Sequence, residues 1–317
     1  MLTVLGLTKI LVGMMLLAAI AAFGAACGGG DSENESAAVV VDGSSTLGPF
    51  TARAAHEFRM REPSVDVDVG ISRTSQGFDR FCAGELDIAN ASRPIDEDEA
   101  AACGVANIDY VELQVANDAI TIAIHQPILY DWVTCLTVDQ LRRIWQPDSQ
   151  VTNWNQVDPS FPDVPLRLYG ADEGSGTFGY FTFVINGERG ASRTDYSATD
   201  DDNDTVEGVA DDRGALGYFG FSYYQANQNR LNALAVDGGQ GCVAPSVETV
   251  QNGTYKPLSR PLYIYVRERR LTESRPLREF VQYMLRNQAS IADNALFVPL
   301  SRNQLARQLE RLADATA

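Results

Sequence analysis

The sequence predicts an α/β protein built on parallel sheets, with its ligand contacts gathered at the carboxyl ends of strands. Two observations carry this: short apolar runs alternate with helical stripes along the chain, and loops rich in hydroxyls and glycine follow the strands again and again. At 317 residues and 45% hydrophobic content, the chain suffices for one large or two medium domains with ordinary cores. No short repeat period is evident.

The elements follow in order. "AVVVDGSST" is an apolar run broken by turn residues, and Pro49 then begins a helix with Phe50, Ala54 and Phe58 on one face, stopped by Pro63. Val65, Val67, Val69 and Ile71 alternate as a half-buried strand, "SQGFDRFCAGE" reads as the next helix, and "LDIANAS" as a third strand ending in Ser92. "DAITIAIH" is a strand leaving the first domain. "TVDQLRRIW" opens with a capping-box pattern, Thr137 to Gln140, and buries Leu141, Ile144 and Trp145. "LRLYG" repeats the strand–loop–helix arrangement, "ALGYFGFSYY" reads as buried irregular or strand structure, and "RPLYIYV" as the strand that brings the chain back. Leu277, Phe280, Val281, Met284 and Leu285 form a helical stripe, as do Leu305, Leu309 and Leu312.

The amino terminus reads as an export signal over residues 1–26, with an apolar run from Ile10 to Phe23 after Lys9, too short for a comfortable membrane span. The small residues before Cys27 resemble a bacterial lipobox, which makes Cys27 the lipidated first residue and residues 27–37 a flexible polar tether. Export permits disulfides. The four remaining cysteines allow three pairings, and Cys82–Cys103 with Cys135–Cys242 is preferred because each bridge then stays within one proposed domain. No pair has the spacing of a zinc or redox site, so neither metal nor cofactor is expected.

The formal charge of −17, or −18 once Lys9 leaves with the signal, makes nucleic acid a poor partner. A small anion remains compatible, since oriented N–H groups and a buried arginine set the potential inside a pocket. The stretch "YGADEGSGTFGYF" supplies two hydroxyls and two glycines beside each other but no base. The chain has only His56 and His125, both read as structural. Ser45 and Thr46 alone would suit a helix cap before Pro49, but hydroxyls recur after four strands, at Ser45 and Thr46, Ser75, Ser92, and Ser175 to Thr177. Four such loops can surround one tetrahedral anion with helix N-termini and hydroxyl donors. "TDDDNDTVEG" has the alternate acids of a calcium loop without its glycine and closing glutamate, and reads as a solvated acidic loop.

The stretches "DGSSTLGPF", "ISRTSQGF", "DIANASRPID", "GSGTFGYF", "GALGYFGFSYY" and "PLSRPLYIYV" resemble, in this order from about Val39 to Val266, the PstS family of phosphate-binding subunits of bacterial ABC transporters. The resemblance implies a type II periplasmic-binding-protein fold. Two α/β lobes, residues 38–118 with 256–317 and residues 119–255, would be joined by two crossings with inorganic phosphate in the cleft. It places ligand roles on Ser45, Thr46, the Leu47 N–H, Ser75, Ser175, Gly176 and Thr177. Many family members have an acid after the third-loop serine and an arginine shortly before GSGT. Here Arg93 follows Ser92 and no arginine lies between Tyr169 and Gly174, so Ser92 and Arg93 join the expected ligand set, with Arg93 as the cation. Asp42, Asp172 and Glu173 are the candidates for a carboxylate that accepts the phosphate proton.

The expected function is a lipid-anchored, monomeric receptor outside the cytoplasmic membrane that hands phosphate to an ABC permease and is not an enzyme. The competing expectations are a hydrolase of phosphate esters using Ser45, Ser75 or Ser175 as nucleophile, and a receptor for another oxyanion such as sulfate, molybdate or phosphonate.

Overall fold

β-Branched side chains pack well on a sheet covered on both faces, and the chain begins its order with such a run: Val39 and Val41 are 0% and 1% exposed. A computed structural model describes residues 37–126 and 132–317. The expected signal, Cys27 and nearly all of the tether lie outside the described residues.

Three strand–loop–helix units come first: β1 (Ala37–Gly43) and α1 (Gly48–Arg59), β2 (Val65–Val69) and α2 (Thr74–Cys82), β3 (Ile88–Ala91) and α3 (Glu97–Val105). The long β4 (Tyr110–His125) follows. Next come β5 (Cys135–Thr137), α4 (Val138–Trp145), α5 (Trp154–Val157), β6 (Arg167–Ala171), α6 (Gly176–Asn186), β7 (Ser197–Thr199), α7 (Asp202–Asp211) and β8 (Ala215–Gly220). After these lie α8 (Phe221–Ala226), β9 (Leu231–Ala233), β10 (Ala235–Asp237), β11 (Cys242–Val243) and α9 (Val247–Gln251). The chain ends through β12 (Ser259–Arg267), α10 (Glu268–Glu273), α11 (Arg275–Arg286), α12 (Gln288–Asn294) and α13 (Arg302–Asp314).

The main sheet has the order β2-β1-β3-β12-β4-β8-β6-β7, with β9 beside β4, and a small sheet holds β11-β10-β5. At each end of the main sheet the strands are parallel, β1 with β2 and β3, and β6 with β7 and β8. The two middle strands depart from the all-parallel expectation: β4 and β12 run antiparallel to each other and to their outer neighbours. They are the two crossings, one leaving the first half and one returning to it, so they must run in opposite directions. β4 starts at Tyr110, ahead of the expected Asp118. Its first part pairs with β12 and its last part with β8 and β9.

Two large cores lie on either side of the crossings. One gathers Phe50, Phe58, Leu277, Phe280 and Met284 against β1 and β12. The other gathers Trp145, Trp154, Phe181 and Tyr218, with Phe181 and Tyr218 stacked at 3.8 Å and Trp145 set edge-on to Tyr218 at 4.9 Å. The sulfurs are joined as Cys82–Cys103, tying α2 to α3, and as Cys135–Cys242, tying β5 to β11. The Thr137–Gln140 capping box forms as expected. The expected acidic loop does not: "TDDDNDTVEG" enters helix α7, capped by the Asp201 side chain and burying Thr205, Val206, Val209 and Ala210. Acids suit a first helical turn, and the helical spacing of that apolar face outweighs their loop-like spacing.

Candidate functional site

Parallel strands bring their carboxyl ends to one edge, so the loops after β1, β2 and β3 meet there. The Ser44 N–H donates to the Asn90 carbonyl at 2.9 Å, and the Ser72 N–H donates to the Gly43 carbonyl at 2.9 Å, which binds the first loop to the other two strands. Thr74 Oγ1 lies 3.3 Å from Ser92 Oγ and joins the second loop to the third. After β6, Asp172 accepts the Gly174 N–H at 2.9 Å and Ser175 Oγ accepts the Thr177 N–H at 3.1 Å, shaping the turn into α6. The N–H groups of Thr46 and Gly176 have no protein acceptor among the described residues. They are the leftover donors that make a helix entry attractive to anions.

These loops line a cavity of about 780 Å³. Of the expected ligand set, Ser45, Thr46, Ser75, Ser92, Arg93, Ser175 and Gly176 line it, while Leu47 and Thr177 do not. Leu47 is wholly buried and its N–H turns toward Ser44 Oγ at 3.4 Å, so the donor assigned to it by resemblance is partly engaged within its own loop. The Thr177 N–H is the one capped by Ser175. Of the three carboxylate candidates only Glu173 lines the cavity. Asp42 is buried and held by Arg80 and its own Gly43 N–H, and Asp172 is occupied by Gly174.

The cations are arranged differently from the expectation. Arg93 reaches the cavity, but both terminal nitrogens are bound by the Glu99 carboxylate at 2.7 Å each, and Nη1 also donates to the Pro94 carbonyl at 3.0 Å. The Glu99 hydrogen bond raises its proton affinity further. With both terminal nitrogens on Glu99, Arg93 enters the cavity with its charge already paired, whereas the sequence reading gave it the role of the ligand's cation.

Three other arginines line the same space: Arg73, Arg189 and Arg260. Arg260 comes from β12 and stands directly opposite Asp118 of β4. Its Nε and Nη2 donate to Asp118 at 3.0 and 2.9 Å, and Nη2 also donates to Thr46 Oγ1 at 3.0 Å. Its guanidinium lies 3.8 Å over the Tyr180 ring, whose hydroxyl donates to the Pro257 carbonyl at 2.7 Å. Burial holds the Tyr180 phenol well above its ordinary pKa, so it stays a neutral platform.

Two glycines make room for this arrangement. A side chain on Gly179 would collide with the Arg189 guanidinium, which folds back over α6. A side chain on Gly170 would collide with the Tyr218 ring, which packs directly over β6 at that point.

Sequence reasoning missed Arg189, Arg260 and Glu99. Glu99 lies six residues beyond Arg93, within reach across the turn into α3, and its position after the cap residue Asp96 was a usable signal. Arg260 stood in "PLSRPLYIYV" with no local hint of its partner. Neither His56 nor His125 lines the cavity, and His125 Nδ1 is hydrogen-bonded to the Ala210 carbonyl.

Two α/β halves joined by two antiparallel crossings, with anion-binding loops facing one cavity, define the class of two-lobed solute-binding proteins. A profile of the PBP superfamily domain matches residues 30–288. The chain is 45% identical over 267 residues to "Protein SphX" of Synechocystis sp., covering 84% of this chain and 79% of that one. It is 33% identical over 274 residues to "Phosphate-binding protein PstS" of Staphylococcus saprophyticus, covering 86% and 83%. Among solved structures, a possible phosphate binding protein from Planctomyces limnophilus superposes with a TM-score of 0.82 at 42% identity, covering 88% of this chain and 99% of that one. The chain therefore belongs to the PstS family of phosphate-binding proteins within that superfamily.

Proposed function

We infer that this chain is an extracytoplasmic receptor that captures inorganic phosphate and delivers it to an ABC transporter permease. The observation that carries the reading is the cavity itself: the entries to α1, α2 and α6 supply free N–H and hydroxyl donors, arginines supply charge, and no histidine stands among the serines. Such a site can hold a tetrahedral anion, and it lacks the histidine that most often makes a serine attack one. The ligand set is Ser45, Thr46, Ser75, Ser92, Ser175 and Gly176. The names of the relatives from Staphylococcus and Planctomyces limnophilus support phosphate as the ligand.

The rest of the reading is architectural. Residues 38–118 with 256–317 form one lobe and 119–255 the other, and the two large cores divide in nearly that way. Residues 1–26 direct export, Cys27 carries the lipid, and residues 27–37 tether a monomer to the outer face of the membrane, within reach of its permease. Calorimetry with phosphate, sulfate and p-nitrophenyl phosphate, run beside a nitrophenol-release assay, tests the function. A single phosphate per chain without ester turnover is expected. Release of nitrophenol at a rate that falls with Ser175→Ala would establish the hydrolase instead.

A further inference from the structure

Four arginines face the cavity, and their partners divide them into two kinds. Arg93 is closed on Glu99, and Arg260 is closed on Asp118 and Thr46. The guanidinium groups of Arg73 and Arg189 make no hydrogen bond or ion pair among the described residues. They also come from different halves of the molecule. Arg73 is the residue before α2, two positions from Ser75, and Arg189 follows α6, lying over Gly179 in the helix that Ser175 caps. We propose that Arg73 and Arg189 are the cations that the bound anion bridges, one from each half of the molecule.

Independent features agree with this assignment. Arg189 loses proton affinity first through burial and then through the charges of Arg260 and Arg73, so these groups lie close enough to repel one another. That repulsion marks a local excess of positive charge in a chain whose overall charge is −17. An anion seated between Arg73 and Arg189 relieves it, and planar forks on two sides match the separated oxygens of a tetrahedral dianion. Arg260, oriented by Asp118 and stacked on Tyr180, then acts as a fixed floor that positions Thr46. Because each half contributes one unpaired arginine, neither half alone would hold the anion tightly.

The proposal rests on phosphate being the ligand, and the test separates the two. Wild-type protein titrated with inorganic phosphate in the calorimeter first establishes binding; absence of heat defeats the phosphate reading and this proposal with it. With binding established, Arg73→Ala and Arg189→Ala are each expected to raise the dissociation constant by roughly tenfold to a hundredfold, with thermal melts unchanged because neither guanidinium has a hydrogen-bond or ion-pair partner to lose among the described residues. Arg189→Lys, which keeps the charge but not the planar fork, should recover part of the loss. Wild-type affinity in either alanine variant overturns the proposal, as does a larger loss in Arg93→Ala than in both.

Discussion

The Arg260–Asp118 pair couples the two crossings, and its strength can be worked out from its setting. Both side chains are largely withdrawn from water, 10% and 17% exposed, and they meet at 2.9 Å. Removing one partner from a buried pair strands the other charge at a cost of roughly 3–5 kcal/mol. Residual exposure places this pair at the lower end, about 3 kcal/mol. Arg260→Leu also forfeits the stacking on Tyr180, worth about 1 kcal/mol more, for a total of about 4 kcal/mol. Asp118→Leu leaves Arg260 with Thr46 and the ring, so it should cost about 3 kcal/mol. The double variant strands no charge and should be well short of the sum, with a coupling of about 2 kcal/mol or more. Urea unfolding of all four proteins without phosphate, followed by circular dichroism, measures the cycle. Additive losses would refute the reasoning and show that the two residues contribute independently.

Other expectations concern the loops, the bridges and one buried acid. Ser175→Ala should weaken phosphate binding by about 1–3 kcal/mol in calorimetry, since a buried anion loses a charge-assisted donor at a helix entry, and unchanged affinity would reduce Ser175 to a cap for Thr177. Reduction of Cys82–Cys103 and Cys135–Cys242 should lower the melting temperature while phosphate still binds, because neither bridge contributes a residue to the cavity. The 107-residue separation of the second implies the larger loss, about 4–5 kcal/mol in the chain-entropy treatment, so Cys135→Ser/Cys242→Ser should melt below Cys82→Ser/Cys103→Ser. Burial holds the Asp202 carboxyl above its ordinary range. The fold therefore binds that proton more tightly than the unfolded chain, and the ionised acid costs stability at neutral pH that is recovered as pH falls through the native pKa toward about 4. Asp202→Asn should gain stability relative to wild type at pH 7 and lose that advantage on acidification; an equal difference at both pH values contradicts it.

What the sequence made legible was local chemistry. Ser45, Ser75 and Ser175 could be placed because each strand end is marked by turn residues followed by a helical stripe within a few positions. The Thr137 capping box was visible for the same reason. The charges were not visible, because their fate depends on residues that the fold brings together. Arg260 and Asp118 are 142 positions apart and meet only when β12 lies against β4. Arg189 acquires its place from the absence of a side chain at Gly179, which no residue near it announces. Arg93 sat beside Ser92 at a strand end, the right location for a ligand, but Glu99 returns from α3 and takes its fork. Helix α3 itself went unread because its acids and alanines form only a weak apolar face, with Cys103 alone buried.

A crystal structure of the chain grown with inorganic phosphate tests the central claim most directly. The account predicts one tetrahedral anion in the cavity, within hydrogen-bond distance of the Ser45–Thr46 loop on one side and of Ser175 and Gly176 on the other, with Arg93 still closed on Glu99. An anion bound to one side alone, or a cavity that stays vacant at millimolar phosphate, would contradict it.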